Sequence, residues 1–284
     1  MPVTLPAAPA RHVRGLIGFE VADDGATIVA QVAPATTAGT ITDEVLDVRI
    51  DGDPFPGIVT EVAGEHGGRL HVLEAGPGTL SMAYTATVTP HPGGPPERGP
   101  ADAIDLEALT YLRQSRYCPS DELLGFARAE LGHLVEDEDR ATAVAEWAFE
   151  HLSYESGTSG PLDTAIDTLV SRRGVCRDFA HLTVAFCRAL EIPARLAAVY
   201  APGLSPMDFH AVVEARVAGR WVVVDPTRLA PRTSLVRIAT GRDAADTAFV
   251  TVLAGHADLT LAEVSAVIDG DLPFDDHRAA VVLG

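Results

Sequence analysis

The 284-residue chain contains no lysine and no asparagine. Without lysine, its own side chains cannot supply the amine for a glutamine–lysine isopeptide bond, so this kind of self-crosslinking is excluded. Its 21 cationic side chains are all arginine, and 40 acidic residues give a net charge of −19. Such a surface repels phosphate backbones and anionic lipids, so we expect neither nucleic acid nor a membrane surface as a partner.

Cysteine is also scarce, with three residues in the whole chain. An odd number without closely spaced pairs argues against a disulfide framework and against a zinc site. We therefore expect Cys118, Cys176 and Cys187 to be free thiols, any one of which could act as a nucleophile.

Long hydrophobic runs are absent as well. No stretch approaches the roughly 20 apolar residues of a membrane helix, and the first residues, with proline at positions 2, 6 and 9, lack the apolar region of a secretory signal. Hydrophobic residues make up 47% and charged residues 21% of the chain, as in folded globular proteins. We expect a cytoplasmic protein with one large or two ordinary domains.

Residues 11–90 show the alternation of apolar and polar side chains that is typical of β-strands, including separate runs at 12–21 and 26–33. Gly, Pro and Asp lie between the runs, and the spacing favours an antiparallel sheet or a sandwich. We predict an all-β, sandwich-like N-terminal domain over residues 1–90. The next stretch is rich in proline and glycine and has no apolar face, so we predict a linker over residues 91–104.

The second predicted domain covers residues 105–284. Four helices are indicated between residues 120 and 190, and the last of them begins near Cys176 and ends before Pro193. From Ala194 onward the pattern returns to strands. Helices followed by antiparallel strands favour an α+β fold over a doubly wound parallel sheet.

Cys176 lies at a predicted helix start, directly after Gly174 and Val175. A thiol in this place faces free backbone N–H groups and the positive end of the helix dipole, which favour the nucleophilic thiolate. The same N–H groups can hold the oxyanion of a tetrahedral intermediate. Cys187 lies deeper in the same helix and Cys118 lies outside the helices, so we interpret both as structural.

His210 is the candidate base for this thiol, and Asp225, at the end of the next strand, is the candidate orienter of the base. If residues 218–219 form a two-residue hairpin loop, the residues that flank them pair and Asp225 opposes Val212. Val212 shares a strand face with His210, so His210 and Asp225 become diagonal neighbours within hydrogen-bonding reach. A three-residue loop would place them on opposite faces.

Four segments in order along the chain resemble the transglutaminase-like superfamily of thiol enzymes: residues 174–180 (GVCRDFA), 192–195 (IPAR), 210–211 (HA) and 225–227 (DPT). Residues 111–113 (YLR) and 115–120 (SRYCPS) are similar to its bacterial branch, which carries an N-terminal β region. The resemblance covers residues 105–250 well and the first 90 residues loosely.

This resemblance implies a papain-like core in which a cysteine-bearing helix packs on an antiparallel sheet. It makes residues 105–284 a transglutaminase-like catalytic domain with a triad of Cys176, His210 and Asp225. Known members transfer acyl groups from amides to amines or to water. The implied partner is therefore a peptide or protein amide, and no metal or organic cofactor is required.

Two features of the family have no clear counterpart in this chain. Many members have tryptophan directly after the His-Ala pair, where this chain has Val212, and Trp221 is the candidate for an alternative aromatic wall. Some relatives complete the oxyanion hole with a side chain upstream of the cysteine, for which Tyr154 and Ser156 are the candidates.

The leading hypothesis is acyl transfer through a thioester at Cys176. With water as the acceptor the protein would be a cysteine peptidase or amidase, which we favour because an amine acceptor needs its own site. With an amine as the acceptor it would be a protein-glutamine gamma-glutamyltransferase. A non-catalytic interaction module on the same fold is the third alternative, although a degraded triad would then be expected. The substrate and the oligomeric state stay open at this stage.

Overall fold

The structure is a computed structural model that describes residues 8–91, 105–134 and 137–283. The predicted linker lies outside these ranges from residue 92 onward. Within them, two antiparallel sheets and a group of helices form the mixed α+β fold that the sequence predicts. No helix in the described part of the chain is long and apolar enough to cross a membrane.

The larger sheet is antiparallel and has the strand order β3-β2-β6-β1-β5-β4, with the last strand of the chain paired to the remaining edge of β1. Its strands are β1 (Arg11–Ala30), β2 (Thr40–Ile50), β3 (Asp53–Pro54), β4 (Thr60–Ala63), β5 (Arg69–Ala75), β6 (Gly78–Thr89) and β13 (Val250–Ile268). The N-terminal region is thus β-rich, as predicted.

Strand β1 is one strand where the sequence indicates two. Its first half pairs with β6 and its second half with β5, while β13 follows it along the whole length. A register irregularity between Val21 and Ala26 accommodates the polar turn-like residues that separate the two apolar runs. Because β13 belongs to this sheet, residues 250–268 join the N-terminal region in space, although the sequence groups them with the second domain. The domain limits themselves stay a prediction.

The smaller sheet has the order β11-β10-β9-β12, and the helices lie against it. Its strands are β9 (Ala194–Tyr200), β10 (His210–Val217), β11 (Arg220–Val224) and β12 (Val236–Gly241). The helices are α1 (Leu106–Leu112), α2 (Ser120–Leu131), α3 (Asp137–His151), α4 (Ala165–Ser171), α5 (Cys176–Ala189) and α6 (Ala244–Thr247). A short parallel pair, β7 (Ser153–Tyr154) and β8 (Arg173–Gly174), precedes α5.

Helix α5 is the centre of this half. Every side chain from Asp178 to Ala189 is buried, because α2, α3 and α4 cover one side of the helix and strands β9 and β10 the other. The cysteine-bearing helix therefore packs on an antiparallel sheet, as the resemblance implies.

A buried charge cluster connects strands on the far side of the smaller sheet from α5. The Glu214 carboxylate is fully buried and accepts hydrogen bonds from Arg195 Nε at 2.7 Å and from the Arg237 guanidinium. Arg195 also donates to Glu107 of α1 at 3.1 Å and stacks over the ring of Trp221 at 4.1 Å. One carboxylate thus compensates two buried arginines, and its loss would leave two cations without that partner.

We expect Glu214→Gln to lower the free energy of unfolding by about 3–5 kcal/mol, as measured by urea denaturation, because it removes the charge at nearly constant volume. Asp47→Asn is the matched control, because Asp47 pairs with Arg49 at 2.8 Å with both side chains about half exposed, where water screens the attraction. Equal losses in the two variants would contradict this role of Glu214.

Candidate active site

Cys176 begins α5 at a turn that its neighbours fix. The Asp178 carboxylate folds back and accepts a hydrogen bond from the Val175 N–H at 2.8 Å, which caps the helix start. A Cβ at Gly174 would lie 2.6 Å from Asp178 Cβ, so only glycine leaves room for this cap. The thiol is half-buried and lies at the positive end of the helix, as the sequence analysis expects.

His210 is the first residue of β10, and Asp225 directly follows β11. The strand pairing is the one expected from a two-residue loop, with Val217 opposite Arg220. His210 Nε2 lies 3.7 Å from Asp225 Oδ2, and both side chains are almost completely buried. The structure therefore brings the predicted base and orienter together.

Thr227 holds the Asp225 carboxylate in place. Its backbone N–H and its hydroxyl both donate to Asp225 Oδ1, at 2.8 and 2.7 Å. Oδ2 is buried without a hydrogen-bond partner among the described residues, and it is the oxygen that faces His210. The sequence carried a signal for this role, since a hydroxyl residue two positions after an aspartate typically closes a turn with it.

The charges of His210 and Asp225 depend on each other. Burial alone would lower the pKa of His210, but its interactions with the nearby Asp225 carboxylate and with Cys176 outweigh burial and raise this pKa to about 10. Burial alone would raise the pKa of Asp225, but the interactions with His210 and Thr227 hold that pKa below its usual range. Both shifts favour an imidazolium beside a carboxylate.

Tyr154 lies beside Cys176. Strand β7 pairs with β8 so that Tyr154 opposes Gly174, two residues before Cys176, and the Glu155 N–H donates to the Gly174 carbonyl at 2.9 Å. Burial raises the pKa of Tyr154 to about 12, and its hydroxyl interacts with both the thiol and the backbone N–H of Cys176.

The other candidates lie elsewhere. Ser156 is exposed, two residues beyond Tyr154. Trp221 opposes Arg216, which is six residues along β10 from His210, or about 20 Å. Its indole N–H donates to Glu107 in the buried charge cluster. Strand alternation predicts that Trp221 shares a face with Asp225, but alternation does not give the distance between Trp221 and His210 along the sheet.

The remaining two cysteines are fully buried. Burial raises the pKa of both Cys118 and Cys187 to about 12, which favours the unreactive thiol. Cys176 is the cysteine that combines partial exposure with a neighbouring histidine.

A cavity of about 420 Å³ adjoins Cys176 and His210 and extends between the two sheets. Sequence reasoning did not find it, because its walls come from distant parts of the chain, among them Gln31, Ile238 and Phe249.

The chain is similar to several known proteins. The transglutaminase-like superfamily profile matches residues 127–226. The crystal structure of a "putative cysteine protease" from Cytophaga hutchinsonii is 35% identical, with a TM-score of 0.84 over 96% of both chains. The periplasmic domain of TgpA from Pseudomonas aeruginosa is 19% identical, with a TM-score of 0.41 over 79% of this chain and 91% of that one.

An uncharacterized protein from Mycobacterium leprae is 32% identical over 149 residues, which cover 48% of this chain and 52% of that protein. The match thus spans about half the length of this curated relative. The family profile covers the segment with the thiol, the histidine and most of the smaller sheet, and the similarity to the Cytophaga structure extends over nearly the whole chain. This chain belongs to the transglutaminase-like superfamily and has the fold of a thiol enzyme.

Proposed function

We propose that this protein cleaves amide bonds through a thioester at Cys176, with His210 as the proton carrier and Asp225 as the orienter of His210. The proposal rests on one observation: three side chains that are far apart in the sequence lie close together in the structure. These groups are a half-buried thiol at a helix start, a buried imidazole beside it, and a carboxylate 3.7 Å from that imidazole.

The geometry supports an assignment of the two ring nitrogens. Nε2 of His210 faces Asp225 Oδ2 at 3.7 Å and Thr227 Oγ1 at 3.4 Å. Nδ1 is buried and has no hydrogen-bond partner in the described residues, which leaves it for the thiol proton. Hydrogen bonds between catalytic groups are often long in the absence of substrate and shorten when the substrate binds.

In the first step the Cys176 sulfur attacks the amide carbonyl carbon as a thiolate, because the charged His210 already holds the thiol proton. The C–N bond then breaks, and His210 returns the proton to the leaving amine while the acyl group stays on sulfur as a thioester. Water attacks the thioester next and gives a proton to His210. The C–S bond breaks, a carboxylic acid is released, and the sulfur leaves as the thiolate beside the charged His210, as at the start.

The tetrahedral intermediates need donors for their oxyanion. The N–H groups at the start of α5 supply the first of them. We assign the second to Tyr154, because its hydroxyl lies beside the Cys176 thiol and backbone N–H and its raised pKa keeps the donor proton in place.

Modification by iodoacetamide, followed by peptide mass mapping, tests the nucleophile. We expect Cys176 to react first, and His210→Ala to slow its labelling by about 100-fold or more, since general-base assistance is typically of that size. His151→Ala is the control, because His151 is exposed at the end of α3. Equal labelling of Cys118 and Cys187, or indifference to His210, would overturn the proposal.

A second assay distinguishes water from a primary amine as the acceptor of the acyl group. Wild type and Cys176→Ala are incubated with dimethylcasein and a fluorescent primary amine. We expect Cys176-dependent release of peptide fragments with little amine incorporation. Cys176-dependent incorporation of the amine without cleavage would instead make the protein a transglutaminase.

The charge of His210 gives a pH prediction. Its raised pKa means that the ion pair stabilises the fold fully below about pH 6.5 and is lost as pH rises through about 10. By NMR titration of the ring protons, we expect His210 to stay charged at pH 8 in the wild type and to become neutral there in Asp225→Asn. Asp208→Asn removes an exposed neighbouring carboxylate and should leave the titration nearly unchanged. Identical titrations in all three proteins would remove Asp225 from its role.

Tyr154→Phe tests the oxyanion assignment. We expect kcat for amide cleavage to fall about 100-fold with little change in KM, because one oxyanion donor is lost while the ring still packs on Phe179. Ser156→Ala is the matched control at the other upstream candidate. An effect on KM alone, or an equal loss from Ser156→Ala, would argue against Tyr154 as the donor.

A further inference from the structure

We propose that the cavity beside Cys176 is an acyl-binding pocket that selects amides whose acyl half carries a bulky apolar side chain, above all an aromatic one. This inference rests on the proposed thioester chemistry and adds the substrate class. Cys176 and His210 themselves line the cavity, so a group bound in it lies next to the reacting atoms.

The size of the cavity fits a large side chain. Its volume of about 420 Å³ is within the range of ligand pockets, roughly 300–1,000 Å³. An apolar cavity of about 150 Å³ is enough to bind benzene. The space beside Cys176 therefore accommodates an aromatic ring together with adjoining backbone atoms.

The walls are apolar and aromatic. Leu196 and Ile238 line the cavity from neighbouring strands and are almost fully buried in the protein. Phe209 and Phe249 stack with ring centroids 4.8 Å apart, and both remain partly exposed where they line the cavity. A bound apolar side chain would cover these surfaces and displace water from them.

Arg177 and Asp208, which also line the cavity, each have partners within the protein. Arg177 Nη2 donates to Ser159 Oγ and to the Gly160 carbonyl, both at 2.6 Å. The Asp208 carboxylate is exposed and accepts a hydrogen bond from the Phe209 N–H at 2.7 Å. Most of the lining is uncharged, so a charged substrate side chain in the cavity would lose hydration against apolar walls.

The acyl half is the part of the substrate that needs such a site. It stays on Cys176 as the thioester after the amine has left, and it must be held while water enters. A cavity that opens onto the sulfur can hold the same side chain in both steps.

The pocket also gives the larger sheet a place in substrate binding. Gln31, next to the end of β1, and Val250, the first residue of β13, line the cavity opposite the smaller sheet. The Gln31 N–H donates to the Phe249 carbonyl at 2.9 Å, which ties β1 to the segment that carries this aromatic wall. Neither sheet alone encloses the pocket.

Alkylation by amino-acid chloromethyl ketones tests the proposal, because the Cys176 thiolate displaces chloride while the side chain samples the acyl site. The probes are the N-acetyl derivatives of phenylalanine, leucine, glycine and glutamate. For each probe, the rate of Cys176 labelling in the full chain is divided by the rate with iodoacetamide. We expect the phenylalanine and leucine probes to label Cys176 at least about tenfold faster than the glycine and glutamate probes, as apolar pockets typically discriminate.

A cavity-filling variant supplies the second readout. Ala248 lines the cavity, so Ala248→Phe should reduce the ratio of phenylalanine to glycine labelling rates. Ala245 is exposed and outside the cavity, so Ala245→Phe should keep the ratio. Three results would overturn the pocket: equal labelling rates for all four probes, a faster rate with the glutamate probe, or a phenylalanine-to-glycine ratio that Ala248→Phe leaves unchanged. In each case, normal His210-dependent labelling by iodoacetamide would still support the thiol chemistry. Loss of that labelling preference itself would overturn the proposed function.

Discussion

The register of the hairpin β10–β11 is the constraint on which the site depends. The loop residues Ala218 and Gly219 both have positive φ, 49° and 77°, as a two-residue hairpin turn of type I′ requires. Because side chains alternate along a strand, a shift by one residue would carry Asp225 to the other face and away from His210. A turn at the far end of the hairpin thus fixes the imidazole–carboxylate contact, and Thr227 then aims the carboxylate.

Cys176, the proposed nucleophile, is positioned by a second local arrangement of the chain. The start of α5 is shaped by Asp178, whose cap leaves room only for glycine at position 174, and the same turn pairs with β7 and brings Tyr154 beside the thiol. The helix start, the hairpin and the short parallel pair therefore converge on one sulfur. The buried charge cluster around Glu214 lies four residues along β10 from His210 and supports the scaffold rather than the chemistry.

The N-terminal β region is part of the same construction. Strand β13 returns from the second half of the chain to pair along β1, so the chain leaves the larger sheet and rejoins it. The segment just before β13 carries Phe249 into the cavity wall, and β1 ends beside it at Gln31. The proposed substrate pocket needs both sheets, and this gives a reason for a thiol-enzyme core and a β region to belong to one folded unit.

The sequence by itself determined the α+β fold and the cysteine at a helix start, because these follow from local periodicity and capping. It predicted the pairing of His210 with Asp225 only on the condition of a two-residue hairpin loop, which the structure has. Even Tyr154 could be proposed, although not separated from Ser156. Only the tertiary structure decided that β13 joins the first sheet, that Trp221 lies far from the thiol, and that an apolar cavity adjoins it. Those features depend on contacts between residues distant in the chain, whose positions no local pattern encodes.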